Sequence, residues 1–222
     1  MTDIVSATPS TTTTTTTTTS NGDHNTNNNN SINNSLSADV VAQLGDILDT
    51  LHLKTVEDKD CSIRYSVYKG ESQIKEIMDL IECELSEPYS IFTYRFFLGM
   101  WPQLCFLAHD VTDENNKRLV GIVISKSAKH GKLLRGYIGM IVVDKTYRRL
   151  GIGSKLVRYT VEKMTQMLCD EIVLETLMTN HQAIALYEGL GFIRLKRLFG
   201  YYTMGEDAIR LLLPLNQKFI DT

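Results

Sequence analysis

This chain has little that would mark it for a membrane, for export or for a metal. No stretch of about 18 apolar residues occurs in its 222 positions, so no segment reads as a membrane-spanning helix. The first residues, MTDIVSATPS, lack the basic start and apolar core of a secretory signal. Cysteine is limited to Cys61, Cys83, Cys105 and Cys169, widely spaced and without a C-x-x-C pair, and His24, His52, His109, His130 and His181 form no ligand pair. That pattern fits reduced, mostly buried thiols rather than a disulfide framework or a zinc site. The expectation is a soluble protein of the cytoplasm or nucleus, without a metal.

Charge of one sign is also lacking. Up to Lys54 the chain holds five Asp and one Lys, and the remaining 168 residues carry 22 Lys and Arg against 21 Asp and Glu, a formal charge of +1. Nothing in bulk charge calls for DNA or an anionic membrane, and any anion site must be local. Large apolar side chains are almost missing from residues 8–38, which hold nine consecutive threonines, Thr11–Thr19, and an asparagine run at Asn27–Asn30. Such a stretch cannot bury enough surface to offset its ordering entropy, so 1–38 reads as a disordered tail. Residues 39–60 read as a short amphipathic segment and linker, with Val40, Leu44, Ile47, Leu48 and Leu51 at helical spacing. Residues 61–216 form the domain and 217–222 a C-terminal tail.

What is present in the domain is alternation of period. Ile63, Tyr65 and Val67 share one face of a strand, and Ile74, Ile77, Met78, Ile81 and Leu85 share one face of a helix that Pro88 ends. YRFFLGMWP reads as a second short helix or turn. QLCFLAHD, RLVGIVISK and LLRGYIGMIVVD follow as three strands separated by the polar turns TDENNK and SAKHG, which implies an antiparallel meander. A long helix then shows Gly153, Val157, Val161, Met164 and Leu168 at steps of three and four. The strand EIVLETL, a helix from about Asn180 to Leu190, and the strands FIRLKRL and AIRLLLPL complete the chain. The order βα(α)βββαβαββ describes an α/β fold of the α+β kind, with a mixed, mostly antiparallel sheet and helices on both faces.

Between the strand IGMIVV and the long helix lies a turn carrying Arg148, Arg149, Gly151 and Gly153. Helix N-termini expose unpaired N–H groups and a partial positive charge; glycines let the backbone close on an anion and arginines add charge. The turn suits a diphosphate. A Walker A loop is excluded because Lys155 stands at the wrong spacing after GIGS. A dinucleotide fingerprint fits Gly151 and Gly153 but meets Leu156 at the third position. Thr176 and Leu177 also continue the strand past Glu175, its would-be ribose ligand, and an antiparallel meander is wrong for a βαβ unit.

The remaining pattern, R-x-x-G-x-G at Arg148–Gly153, resembles the acetyl-CoA segment of the GCN5-related N-acetyltransferase (GNAT) family. About thirty residues later, TNHQAIALYEGLGF resembles that family's N-x-x-A-x-x-L-Y-x-x-x-G-F segment at Asn180, Ala183, Leu186, Tyr187, Gly191 and Phe192. Within the family, LSEPYSIFTYRFFL, CDEIVLET and YYTMGEDAIRL are similar to the catalytic subunits of N-terminal acetyltransferase C (NatC) complexes. The resemblance implies a GNAT fold over about 61–216. It also implies acetyl transfer from acetyl-CoA to the α-amine of nascent chains beginning with Met and a bulky hydrophobic residue. Its implied setting is close to the ribosome, beside a large scaffold subunit and a small one.

It further implies acetyl-CoA held along Ile141, Val142 and Val143, by the turn Arg148, Arg149, Gly151, Ile152, Gly153 and Ser154, and by Asn180 and Tyr187. Glu175 is implied as the base and Tyr187 as the group beside the thioester sulfur; Leu85, Glu87, Pro88, Tyr89, Tyr137, Tyr201 and Tyr202 are implied as the peptide site. An α-amine, with a pKa of about 7.7–8.0, is partly neutral near pH 7, whereas a lysine at about 10.4 is almost wholly protonated, so a weak base acting through water suffices for the former. Two alternatives stay open on the residues alone: a non-catalytic acetyl-CoA-binding scaffold, and an enzyme acting on lysine or small amines.

Overall fold

The computed structural model describes residues 56–57, 62–85 and 89–215. The N-terminal tail, residues 39–54 of the amphipathic segment, Glu87, Pro88 and the C-terminal tail lie outside the described residues. In chain order the elements are β1 (Val56–Glu57), β2 (Ser62–Val67), α1 (Ile74–Glu84), α2 (Ile91–Met100), β3 (Cys105–Asp110), β4 (Arg118–His130), β5 (Leu133–Val143), α3 (Ile152–Gln166), β6 (Glu171–Leu177), α4 (His181–Glu188), β7 (Ile193–Leu198) and β8 (Ala208–Pro214). The sequence of seven strands and four helices expected from periodicity is present. An eighth, two-residue strand, β1, falls inside the stretch read as linker and pairs with β2.

The strands form one sheet in the order β1-β2-β3-β4-β5-β6-β8-β7, antiparallel at every junction except β5–β6. Alternate side chains of the central strands divide the core into two layers. Ile122 and Ile124 of β4 and Met140 and Val142 of β5 pack with Ile77, Ile81, Phe97 and Leu98 of α1 and α2. On the opposite face, a methyl at Gly121 would touch Ile152 and Leu156 of α3, and Tyr159 of α3 packs its ring against Tyr65 and Phe106.

One helix, α3, differs in extent from its expected form. α3 buries Ile152, Leu156, Val157, Thr160 and Met164, leaving Val161 half-buried. Leu168, expected on the buried face, is 79% exposed because the helix ends at Gln166 and Leu168 takes a left-handed conformation (φ 59°) beyond it. Of the two readings open for YRFFLGMWP, α2 is the helix, ten residues begun by Ser90, whose hydroxyl accepts the Thr93 N–H.

One irregularity positions the site. Opposite the Ile124–Ser125 step of β4, β5 carries an extra residue, Gly139, so Ile124 pairs with Met140 and Ser125 with Ile138. The bulge puts Gly139 and Met140 on the α1–α2 face in succession, and the Phe97 ring lies where a Gly139 side chain would stand. Bulges bend and twist their strand. Just before this one, β5 parts from β6: the parallel pairing covers only Arg135–Tyr137 against Glu171–Val173. Beyond it, β5 pairs with β4 and β6 with β8, leaving two strand edges facing an open wedge.

Candidate active site

At the wide end of the wedge, β5 runs through the 3-10 turn Lys145–Tyr147 into the N-terminus of α3. Arg149 and Gly151 both take left-handed backbone conformations (φ 71° and 75°) there. For a non-glycine residue that conformation is strained and persists only where the surroundings enforce it. Part of that enforcement comes from Arg148, whose Nε donates to the Val143 carbonyl (3.1 Å) and whose second guanidinium nitrogen donates to Glu84 of α1 (2.6 Å). The Arg148 side chain therefore anchors the turn to α1. Val143, Arg148, Arg149, Gly151, Ile152, Gly153 and Ser154, with His181, Gln182, Ala185 and Leu186 of α4, line a cleft of about 550 Å³. Ile141 and Val142, expected along the cofactor, bury their side chains in the two core layers, so only their backbone edge is available to the wedge.

The narrow end of the wedge holds the titratable groups. Glu175 is 1% exposed; its Oε1 accepts from Nε of Arg210 (2.5 Å) and its Oε2 from the Tyr137 hydroxyl (2.8 Å). A strand glutamate pointing to solvent is thereby excluded. Arg210 stands directly across from Glu175 on β8, and Tyr137 reaches over from β5, so the carboxylate ties together three strands. Tyr201, on the β7–β8 loop, has its hydroxyl pushed up to about 12, first by burial and then by the Glu175 charge, and it lies beside the Tyr137 hydroxyl and the Glu175 carboxylate. Tyr202 is raised further still, by burial above all, then by Tyr201, Tyr89, Glu175 and Tyr187 around it. Leu85, Tyr89, Tyr137, Tyr201 and Tyr202 thus belong to one apolar cluster against α1 and α2, although Glu87 and Pro88 lie outside the described residues.

Tyr187 of α4 is wholly buried, edge-on to Phe192 (5.6 Å between ring centres), and its hydroxyl has no partner among the described residues. Burial raises its pKa, so it stays protonated across the physiological range. Buried hydroxyls almost always find a partner, so one that does not, placed beside the wedge, is a candidate functional group. Thr176, on the β6 edge beyond the last β5–β6 pair, also has a buried hydroxyl with no partner among the described residues. Asn180 caps α4, its side-chain oxygen accepting the Ala183 N–H (3.1 Å).

The arrangement fits acetyl-CoA on structural grounds: strained backbone for a diphosphate at the cleft, a free strand edge along the wedge, and an orphaned hydroxyl at its inner side. Sequence reasoning missed Arg210, Glu84, Thr176 and the α4 wall. Only Arg210 left a trace, as the lone basic residue of an otherwise apolar strand.

Residues 74–192 match the Acetyltransferase (GNAT) family. The chain belongs to the GNAT acetyltransferase family. Among curated GNAT relatives it is 65% identical over 158 residues to N-alpha-acetyltransferase 30 of Dictyostelium discoideum, covering 71% of this chain and 83% of that one. To the N-alpha-acetyltransferase 30 of Homo sapiens it is 53% identical over 158 residues, 71% of this chain but only 42% of the human protein. Among solved structures, a chain of the NatC complex bound to Gag peptide and CoA superposes with a TM-score of 0.67 at 46% identity, covering 69% of this chain and 99% of that one.

Proposed function

We propose that this chain is the catalytic subunit of a NatC-type N-terminal acetyltransferase. It acts on the α-amine of nascent chains that begin with Met and a bulky hydrophobic residue. The similarity to N-alpha-acetyltransferase 30 carries this reading, and the geometry supports it. Acetyl-CoA supplies the activated acyl thioester. The backbone of Arg149, Gly151 and Gly153 takes its diphosphate at the N-terminus of α3, and the β5 edge aligns its arm. Glu175, oriented by Tyr137 and Arg210, accepts the proton released by the amine, directly or through one water. Tyr187 holds a proton at its hydroxyl oxygen for the departing sulfur. Leu85, Tyr89, Tyr137, Tyr201 and Tyr202 form the apolar walls for the first side chains, and Glu87 and Pro88 are proposed as further peptide-binding residues. In this reading the enzyme works in the cytoplasm, near the ribosome, beside a large and a small auxiliary subunit.

The test is turnover by the full chain, alone and co-purified with its auxiliary subunits, on three peptides analysed by mass spectrometry. One begins Met-Leu, one begins Ser-Glu, and one has a blocked N-terminus and an internal lysine. Acetylation of Met-Leu alone is the expected result. Modification of the lysine peptide, or no product with the complex despite acetyl-CoA binding, overturns it.

A further inference from the structure

Lys126 lies on β4 directly across from Tyr137 of β5, on the sheet face that carries α2. It is half-buried, and its Nζ sits 5.3 Å from the Tyr137 ring centre and 5.4 Å from that of Phe97. No carboxylate pairs with it among the described residues. Aromatic faces attract a cation but do not cancel its charge, and burying a cation without a counter-ion is unfavourable. Burial lowers the Lys126 pKa, and the field of Glu175 only partly opposes the shift. The other described groups around this rim are Glu175 of β6 and Arg210 of β8, which pair with each other, and the phenols of Tyr89, Tyr137, Tyr201 and Tyr202. The Lys126 charge therefore has no ion-pair partner among the described residues and lies one tyrosine side chain away from the carboxylate that takes up the amine's proton.

We propose that Lys126 is a specificity-determining residue: its charge at the rim of the tyrosine cluster disfavours the ammonium form of an incoming nucleophile, so that the site selects amines that are readily neutral. An α-amine, at about 7.7–8.0, meets that condition and a lysine side chain, at about 10.4, does not. The device adds an electrostatic filter to whatever steric filter the tyrosines impose. This inference rests on the N-terminal acetyltransferase reading.

The pH dependence of kcat separates the filter from a structural role, because kcat reports ionisations in the bound complex and kcat/KM those of free enzyme and free substrate. The full chain, with its co-purified auxiliary subunits, is assayed on a Met-Leu peptide from pH 6 to 9 as wild type, Lys126→Met and Lys126→Arg. Lys126→Met is expected to move the acid limb of kcat upward by about half to one pH unit, a loss of about three- to tenfold at the lowest pH, for a unit charge several ångströms away in a partly solvated site. The kcat/KM limb of the free amine should stay in place and kcat near pH 9 should match wild type, while Lys126→Arg keeps the wild-type limb. A loss in kcat equal at every pH marks a structural role and overturns the inference, as does a limb that does not move. If the wild type turns over no α-amine at all, the functional reading fails first and the inference with it.

Discussion

Replacing Arg210 by Met removes one partner of the most enclosed ion pair in the site. Glu175 is 1% exposed, whereas the Arg210 side chain is 25% exposed. Breaking a fully buried pair by removing one partner costs about 3–5 kcal/mol, because the other charge is stranded. Here water reaches the arginine side and Tyr137 still donates to Oε2, so we place the loss at about 2–3 kcal/mol. For a protein of this size that corresponds to a fall in Tm of about 4–12 °C. Urea unfolding of Arg210→Met, Glu175→Gln and the double variant tests the reasoning as a cycle. Glu175→Gln should cost less, since its partner can solvate, and the double variant should cost about 1–2 kcal/mol less than the two singles combined. Additivity within about 0.5 kcal/mol, or an Arg210→Met loss below that figure, would refute the claim that the pair is coupled and enclosed.

Four further outcomes are expected. Tyr187→Phe should lower kcat by about 100-fold yet leave Tm unchanged or slightly raised, because the hydroxyl it deletes has no partner; a clear fall in Tm would show a structural bond instead. Glu84→Gln, which does not line the cleft, should raise the KM for acetyl-CoA about three- to tenfold by freeing Arg148, and Arg148→Ala should add little on top of it. Gly136→Ala drives a methyl into the Met164 sulfur and against Ile172 and should cost about 1–3 kcal/mol in urea unfolding, part of it recovered when Met164→Ala is added. Burial pushes the phenols of Tyr65, Tyr94, Tyr159 and Tyr201 up to about 12. The folded state therefore holds protons that the unfolded state releases near pH 10, so stability should be level below that pH and fall from about 10 to 12. A urea midpoint that stays constant from pH 8 to 11 would contradict this.

The sheet strands and the spacing of Arg148, Gly151 and Gly153 were legible because local pattern controls them: a period of two or 3.6 follows from which face meets a core. Glu175, Tyr187 and the tyrosines Tyr89, Tyr137, Tyr201 and Tyr202 were named only through the resemblance to the GNAT family, not through period or spacing. Leu168 was misplaced on the buried face of α3 because apolar residues at helical spacing do not announce where a helix stops. The helix ends at Gln166 and Leu168 turns out in a left-handed conformation beyond it.

By itself, then, the sequence determined the order of elements and the glycine-spaced basic turn at Arg148–Gly153, within which a diphosphate was expected. Each of these depends on residues close together in the chain. Only the tertiary structure decided that Glu175 is buried between Arg210 and Tyr137 rather than solvated, since those partners lie 35 and 38 residues away and meet it through strand register. The same holds for Arg148, whose side chain turns from the expected anion site to Glu84, 64 residues earlier. The bulge at Gly139 and the parting of β5 from β6 likewise come from how neighbouring strands and the Phe97 ring pack, which no local spacing encodes. Long-range contacts choose among the partners that local chemistry permits, and the site consists of those choices.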